Sequence, residues 1–393
     1  MKLRIYIFSY LLSFVPVPVL PQSGQPVPDT TQILLLENKA IQIDATHAIN
    51  EMYNFKFDEA EQKFRMIKQE YPDHPIGYFL LGLSTWWKIN IDYNDTQYDQ
   101  TFLGYIDSAI YYARQIYDKP QSRIEGAFFL SAGYGFEGRL YGERSDWMKA
   151  AWASKNSLRY FEDCRNKGHL SPELMFGDAL FNYFSVWIPE NYPWLKPVMA
   201  FFPKGDKALG LQQLKTVANN AFYTRTEAQY FLMRILSSDE NDQIGAMRIA
   251  EYLHKTFPDN SYFDRFYARM LYVTGYASES EKQSKRILDR IDSSQFGYGT
   301  EEGRYASFFL GQINEQRRNV EEAKKFYLLC VKYSEEGKAT DSGYFLYANL
   351  SLGEIALKQG DKEAAKNYFK TVRKDSKKKD PVNKRARALL KEL

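Results

Sequence analysis

Apolar residues recur with helical spacing along most of this chain, and strand-like alternation of apolar and polar positions is almost absent. In the middle of the chain the pattern predicts helices over residues 124–138, 147–164 and 174–186, and the helical periodicity resumes at Lys207. The second of these helices carries a row of apolar residues on one side, namely Met148, Ala151, Trp152 and Leu158. The hydrophobic pattern therefore predicts an all-α protein.

Small and aromatic residues return at one fixed spacing in four windows of the chain. In each window an alanine is followed four residues later by an aromatic residue or a second alanine, and in two windows a proline follows eight residues after that. The windows are Ala60-Phe64-Pro72, Ala246-Ala250-Pro258, Ala323-Tyr327 and Ala365-Phe369. The last two follow Leu-Gly pairs whose glycines stand twelve residues before the alanine, at Leu310-Gly311 and Leu352-Gly353. This pattern resembles the tetratricopeptide repeat, a helical hairpin of about 34 residues.

A helical hairpin of this kind cannot bury its apolar face alone, so several hairpins must stack. The resemblance therefore implies an α-solenoid of tetratricopeptide-like helical hairpins, whose extended concave groove serves as a binding surface. The predicted period stretches in places: Gly311 and Gly353 lie 42 residues apart, and residues 90–100 form an insertion. The central repeats deviate most from the regular pattern.

Prolines divide the chain into two predicted repeat regions. Residues 187–206 contain four prolines among aromatic residues, and proline disrupts a helix interior because it lacks a backbone N–H. We expect this segment to be a packed, apolar connector. It separates N-terminal helical repeats at residues 32–186 from C-terminal repeats at residues 207–393, which end in a basic helix.

The amino-terminal residues predict an export signal. Lys2 and Arg4 precede an apolar run at residues 5–15, and prolines follow that run. We expect a signal peptide at residues 1–22, a disordered linker at residues 23–31, and a mature protein in the periplasm or outside the cell. The alternative is a protein anchored in the membrane by an uncleaved amino-terminal segment. The apolar run is short for a bilayer span, which needs about 20 residues, and no later stretch is long enough.

Charge and cysteine content add further expectations. The formal net charge of +3 is too small to indicate a class of partner, although residues 374–393 carry eight basic and three acidic side chains. A terminal repeat helix has one face without a neighbour, so this charge is expected to keep that face soluble. The alternative is contact with an anionic lipid, a cell-wall polymer or nucleic acid. Cys164 and Cys330 lie in different predicted repeats, so we expect buried thiols rather than a disulfide.

Further segments of the sequence resemble one particular group of tetratricopeptide proteins. The segments at residues 176–183, 202–214 and 226–232, together with the proline-rich connector, are similar to a functionally undefined group of exported bacterial tetratricopeptide proteins. Eukaryotic proteins linked to inclusion clearance and to the outer mitochondrial membrane share a similar layout. The resemblance implies an architecture, but no catalytic residue and no cofactor. The predicted export signal departs from the eukaryotic proteins, so their cellular role is not transferred.

No sequence motif points to catalysis or to a metal. Gly133, Gly135 and Gly138 form G-x-G-x-x-G, but no strand precedes them as a dinucleotide site requires, so close helix packing is the better interpretation. The histidines are scattered without metal-ligand spacing. Acidic pairs such as Glu301-Glu302 are expected to be solvated helix starts. We predict that the protein is not an enzyme, and an all-helical hydrolase with two facing carboxylates is the third-ranked alternative.

Two dense segments supply the candidate partner-binding residues. Trp86, Trp87 and Tyr93 lie beside the insertion in the second repeat, and Tyr and Trp are enriched at recognition surfaces. The second segment combines aromatic rings with cations around a predicted turn: Arg139, Tyr141, Arg144 and Trp147. Each set has a structural alternative, which is core packing for the first and an ion-pair and helix-cap network for the second.

The repeats predict a non-enzymatic scaffold that binds a protein or peptide partner in its concave groove. The second hypothesis is a carbohydrate- or cell-wall-binding module that stacks sugars on the region of Trp86 and Tyr93. No sequence feature calls for a nucleic-acid partner, and the oligomeric state does not follow from the sequence.

Overall fold

The computed structural model of this protein describes residue 36, residues 38–200 and residues 203–393. The predicted signal peptide and linker at residues 1–31 lie outside the described residues. Within the described part, no helix is both long and apolar enough to cross a membrane. Contacts between Cα atoms divide the chain into two compact units, which we call unit 1 (residues 1–234) and unit 2 (residues 235–393).

The described residues of unit 1 form α-helices joined by short loops, with no strand among them. The helices are α1 (Lys39–Tyr53), α2 (Phe57–Glu70), α3 (Pro75–Ile91), α4 (Asp99–Tyr117), α5 (Arg123–Glu143), α6 (Trp147–Cys164), α7 (Pro172–Asn191), α8 (Lys196–Met199) and α9 (Lys207–Asn220), and α10 (Arg225–Ser238) begins in this unit. Short 3-10 helices lie at Pro120–Ser122 and Pro193–Leu195. Four hairpins result, in which α1 packs on α2, α3 on α4, α5 on α6, and α7 on α9.

Unit 2 continues the same architecture. Its helices are α11 (Gln243–Thr256), α12 (Ser261–Val273), α13 (Ala277–Asp292), α14 (Thr300–Gln316), α15 (Val320–Glu336), α16 (Gly343–Lys358), α17 (Lys362–Asp375) and α18 (Pro381–Glu392). Each helix packs on the next along the chain, and the first helices of successive hairpins, α12, α14 and α16, also contact one another. The prediction of an all-α stack of helical hairpins is confirmed.

Side-chain caps set several of the helix starts. The Asp206 carboxylate accepts hydrogen bonds from the backbone N–H groups of Ala208 and Leu209 at 2.9 and 3.0 Å, at the start of α9. Asp361 caps α17 through the N–H of Ala364 at 2.9 Å. Each cap satisfies N–H groups that have no partner inside the helix, so these local sequences encode the helix boundaries.

The Leu-Gly pairs lie where the two helices of a hairpin cross. A Cβ atom added to Gly311 would lie 2.6 Å from the ring of Tyr327, and a Cβ atom on Gly353 would overlap the ring of Phe369 in the same way. Both rings are fully buried. The aromatic residue of each repeat therefore fills the space that the glycine leaves, and this is the physical basis of the sequence pattern.

Gly353→Ala should destabilise unit 2 by about 1–3 kcal/mol, because the added methyl group overlaps Phe369 in a packed core. The matched control is Gly343→Ala at the start of the same helix, where a Cβ atom would meet nothing within 4 Å. The control should be neutral or stabilising by up to about 1 kcal/mol, since alanine restricts the unfolded chain. Urea unfolding followed by circular dichroism measures both variants, and equal stabilities would contradict the packing argument.

The structure corrects the predicted start of the proline-rich connector. The sequence predicts a connector from residue 187, whereas α7 continues through Trp187 to Asn191 with Pro189 inside the helix. Proline removes one helical hydrogen bond near the helix end. Trp187 and Ile188 are 5% and 2% exposed, and the free energy of burying them offsets that loss.

The apolar row predicted on α6 does not face the core. Met148 is 83% exposed and Trp152 is 56% exposed. The helix buries a different face, which consists of Ala150, Ala153, Ser154, Ser157, Tyr160, Phe161 and Cys164. Small residues occupy much of this face because α6 crosses α5 closely: a Cβ atom on Gly138 would lie 3.2 Å from Ser154 Oγ. Gly133 and Gly138 of the G-x-G-x-x-G run thus serve close helix packing, as the sequence indicates.

Both cysteines are buried and free, as predicted. Burial raises the pKa of the Cys164 thiol far above its usual range and raises the pKa of Cys330 to about 12. Because the thiolate is the reactive form, both thiols are inert as nucleophiles at neutral pH.

Candidate functional site

Trp86 and Trp87 lie in the interior of unit 1, on α3, where they are 0% and 2% exposed. The Trp86 ring contacts the rings of Phe102 and Phe136, with centroids 5.6 and 5.8 Å apart. The Arg139 guanidinium lies over the Trp86 ring at 4.5 Å and is itself 6% exposed. Sugar stacking needs exposed rings, so the expectation of a stacking surface at Trp86 is wrong and the core alternative holds.

Arg144 holds the insertion of the second repeat against the end of α5. Its Nε and Nη2 atoms donate to the two carboxylate oxygens of Asp99 at 2.6 and 2.7 Å. The same guanidinium donates to the backbone carbonyls of Tyr93 and Asp95. A bidentate arginine–carboxylate pair is a strong and directional contact. Arg144 therefore uses its donors inside the fold, which supports the ion-pair alternative.

The remaining candidates surround the start of α6. The Asp146 carboxylate caps this helix by accepting from the N–H of Lys149 at 3.3 Å. Tyr141 is half-buried, with the Lys149 ammonium 5.3 Å from its ring centroid. Trp147 is 48% exposed. The structure thus brings the second segment together as a cap network and leaves Trp147 as its most accessible ring.

Glu227 on α10 ties the first two hairpins of unit 1 to the helix that follows the fourth. Its Oε1 accepts hydrogen bonds from the Tyr53 hydroxyl at 3.1 Å and from Trp87 Nε1 at 3.0 Å. Glu227 is 5% exposed, so these bonds replace water. Burial and the charge of Glu227 raise the pKa of Tyr53. Glu227 therefore joins helices that lie far apart in the sequence.

A cavity of about 80 Å³ lies inside unit 1, walled mainly by the first helices of its hairpins. Six phenylalanines from α3, α5, α7 and α10 line it: Phe79, Phe128, Phe129, Phe136, Phe176 and Phe231. Arg139, Thr224 and Glu227 contribute the polar groups of the wall. An apolar enclosure with a few converging polar groups is the usual composition of a small-ligand site.

Two buried carboxylates fix the backbone beside this cavity. Glu173 is 1% exposed and accepts hydrogen bonds from the backbone N–H groups of residues 222–224 at 2.7–3.1 Å and from the Thr224 hydroxyl at 2.7 Å. Burial raises the pKa of Glu173, and these hydrogen bonds oppose that shift. The carboxylate of Glu125 accepts from the backbone N–H of Leu36 at 3.0 Å. Because Leu36 and Thr224 line the cavity, both carboxylates hold its wall in place.

The first helices of unit 2 bring cations and aromatic rings together. Arg265 on α12 has its guanidinium 4.9 Å from the ring centroid of Tyr305 on α14, which in turn lies 4.4 Å from the ring of Tyr344 on α16. Tyr305 and Tyr344 are half-buried, as are Tyr262 and Arg269. We call the whole set the arginine–tyrosine surface, and it consists of Tyr262, Arg265, Arg269, Arg304, Tyr305 and Tyr344.

The positive charges of this surface act on Tyr344. Burial raises the pKa of Tyr344, and the positive charges of Arg269, Arg265 and Arg304 oppose that shift. Positive charge nearby favours the ionised form of a tyrosine, which is why it opposes the effect of burial.

Two carboxylates neutralise part of this charge. Arg265 Nη1 lies 3.0 Å from Glu301 Oε1 and 2.9 Å from Glu302 Oε1. Glu302 is 4% exposed and accepts from the backbone N–H of Gly299 at 3.2 Å, at the start of α14. Burial raises the pKa of Glu302 to about 7, and Arg265 opposes that shift. The expectation that both acids are solvated is therefore wrong for Glu302.

Arg304 of the arginine–tyrosine surface is buried and incompletely hydrogen-bonded. It is 8% exposed, its Nη2 lies 3.7 Å from Glu301 Oε1, and its Nε has no hydrogen-bond partner among the described residues. A buried donor without an acceptor is unfavourable, and more so on a charged group. Three arginines face two carboxylates here, so the surface keeps a net positive charge.

Glu137 on α5 is 5% exposed, whereas its neighbour Asp107 on α4 is exposed to solvent. Burial, followed by a hydrogen bond with Asp107 on α4, raises the pKa of Glu137 on α5 to about 8. Within residues 38–200 and 203–393, no group of three His, Cys, Asp or Glu side chains is placed to hold a metal ion.

Comparisons with known proteins bear on the repeats. The tetratricopeptide repeat family matches residues 305–336 and 346–372, which fall on α14–α15 and α16–α17. No match was found among curated proteins. A solved structure of a human IFIT1 dimer with PPP-AAAA aligns with a TM-score of 0.42 and 12% identity, over 80% of this chain and 67% of that chain. The TPR domain of P58(IPK) aligns with a TM-score of 0.26 and 11% identity, over 90% of this chain and 99% of that one.

The family match falls on the hairpins in which Gly311 meets Tyr327 and Gly353 meets Phe369. Folds built from such repeats are in general protein-interaction scaffolds and typically are not enzymes. The sequence spacing, the helical hairpins and the family match agree, and the chain therefore contains tetratricopeptide repeats at residues 305–336 and 346–372.

Proposed function

We propose that the protein is a non-enzymatic scaffold that binds an acidic segment of a protein or peptide partner on the arginine–tyrosine surface of unit 2. Stacked helical hairpins offer an extended binding surface on their first helices. In unit 2 this surface combines arginine with tyrosine, two residue types enriched at protein-recognition hot spots. In unit 1 the buried Glu227 uses one carboxylate oxygen to accept from Tyr53 and Trp87 within the fold.

The positive charge of this surface carries the proposal. Arg304 Nε lacks an acceptor among the described residues, and Arg265 and Arg269 add positive charge. A carboxylate of the partner pairs with the half-buried guanidinium of Arg269, and a guanidinium–carboxylate hydrogen bond is strong where water is partly excluded. The rings of Tyr305 and Tyr344 offer apolar contact for the methylene groups of the partner's acidic side chain.

The proposed place of action is the periplasm or the exterior of the cell. Support comes from residues 1–22, which have the charged, apolar and proline-broken layout of a signal peptide. An uncleaved segment would present the same scaffold at a membrane surface.

An acidic peptide should bind the full chain, and Arg269→Glu should weaken that binding at least tenfold, because the new carboxylate repels those of the peptide. The probe is a fluorescent peptide rich in Asp and Glu, compared by anisotropy with a lysine-rich peptide of equal length. The matched control is Arg248→Glu, an exposed arginine on α11 outside the arginine–tyrosine surface.

Binding of both peptides with one affinity, or an equal loss in the two variants, would count against the proposed site. Crosslinking and affinity purification of the tagged protein from its native cell envelope then identifies the partner. The crosslinked segment of that partner should be acidic, and it should be lost with Arg269→Glu but kept with Arg248→Glu.

A further inference from the structure

We infer that the cavity of unit 1 is a binding site for a branched aliphatic group of the size of a valine or leucine side chain. The cavity lies among α3, α5, α7 and α10 and is partly open to the surface. It shares no residue with the arginine–tyrosine surface, so this inference is independent of the proposed function.

The space is unusual because protein interiors are close-packed. Phenylalanines such as Phe79 and Phe136 surround the cavity, and they pack edge to face against each other at a centroid distance of 5.7 Å. About 80 Å³ nevertheless stays unfilled beside the small side chain of Ala132. One larger residue at that position would fill much of the space. The sequence therefore leaves a cavity that a single substitution could close.

The wall is rigid before any ligand arrives. Glu227 is held by the hydroxyl of Tyr53 and the indole N–H of Trp87. Glu173 fixes the turn at residues 222–224 through backbone N–H groups, and Glu125 fixes Leu36. A preformed cavity binds without the loss of conformational entropy that an adaptable one incurs, which favours a small ligand.

The polar groups of the wall are engaged within the fold. The Arg139 guanidinium lies 4.5 Å from the ring centroid of Trp86, 5.4 Å from that of Phe136 and 5.9 Å from that of Phe231. Glu227 Oε1 already accepts two hydrogen bonds. An ordered water needs about two to four polar partners, and this apolar enclosure offers few. An apolar occupant is therefore favoured over water.

The volume selects the size of the occupant. A cavity of roughly 150 Å³ in another protein stays dry and binds benzene or xenon, and the space here is about half as large. A branched chain of about four carbon atoms suits this volume, whereas a fused ring does not. The side chain of Leu36 already lines the wall and is 1% exposed, so a leucine-like group is compatible with these surroundings. The group belongs to a free molecule or to a side chain of a bound peptide.

Methyl NMR of the full chain tests this site, with xenon, isobutanol and N-acetyl-leucine amide as probes. We expect the methyl resonances of Ile76, Leu80 and Leu83, which line the cavity, to shift with xenon and with isobutanol. A shift with N-acetyl-leucine amide as well would assign the site to a peptide side chain, whereas its absence would assign the site to free small molecules. Unchanged cavity methyls with all probes would overturn the inference.

Two variants locate the binding. Ala132→Leu fills the cavity and should reduce the xenon-induced shifts at least fivefold. The matched control is Ala208→Leu, at an exposed position on α9, which should leave them unchanged. Leu83→Ala enlarges the cavity and should add binding of benzene, so the inference stays testable if Ala132→Leu fails to fold. Equal xenon shifts in the wild type and Ala132→Leu, or no benzene binding by folded Leu83→Ala, would show that the cavity is not the site.

Discussion

Glu173→Ala should lower the free energy of unfolding of the protein by about 4 kcal/mol. The carboxylate accepts hydrogen bonds from three consecutive backbone N–H groups at residues 222–224 and from the Thr224 hydroxyl, and it is 1% exposed. Without it, these donors lose their acceptor in a region that excludes water, and each such loss costs about 1–3 kcal/mol. Partial water entry would offset some of the sum. Urea unfolding at neutral pH, followed by circular dichroism, measures the change.

Two matched variants separate this effect from a general loss of charge on α7. Glu190→Ala removes an exposed glutamate near the end of the same helix and should change stability by less than about 0.5 kcal/mol. Glu173→Gln keeps one carbonyl acceptor and should cost less than Glu173→Ala. Amide hydrogen exchange at residues 222–224 should accelerate in both Glu173 variants. A loss below about 1 kcal/mol for Glu173→Ala would show that the turn finds other partners.

Glu137→Gln should remove a fall in stability that the wild type shows between about pH 4.5 and pH 8. Burial and Asp107 raise the pKa of Glu137 from 4.5 to about 8, so the folded protein keeps this proton after the unfolded chain has lost it. The unfolded state then binds fewer protons, and the free energy of unfolding falls as the pH rises, by up to about 1.4 kcal/mol per pH unit. Glutamine carries no such proton and can still donate to Asp107.

The measurement is the difference in unfolding free energy between Glu137→Gln and the wild type at several pH values. Near pH 4.5 the two proteins should be nearly equal, and at pH 8 the variant should be the more stable by about 3–4 kcal/mol. Taking the difference cancels the titration of all other groups. Glu190→Gln, at an exposed position, should show no such slope. A difference that does not vary with pH would mean that Glu137 is ionised in the folded protein.

Local patterns in the sequence by themselves determined the helices and the hairpins. The alanine, aromatic and Leu-Gly positions act within one repeat, where Gly311 meets Tyr327 and Gly353 meets Phe369. Contacts between the two helices of one hairpin follow from helical periodicity, because a single short turn brings the two helices side by side. The helical periodicity also contained a signal for the candidate site. Arg265 and Arg269 stand four residues apart and therefore lie on one side of α12, the first helix of its hairpin.

Only the tertiary structure decided which sides of those helices meet and which remain accessible. The rule that repeats touch only their neighbours does not predict that Glu227 contacts Tyr53 and Trp87, which lie 174 and 140 residues away in the sequence. That contact satisfies the indole N–H of Trp87 inside the core of unit 1. The contact of Tyr305 with Tyr344 likewise depends on how α14 and α16 pack. Such placements result from the packing of many side chains at once, so no local spacing encodes them.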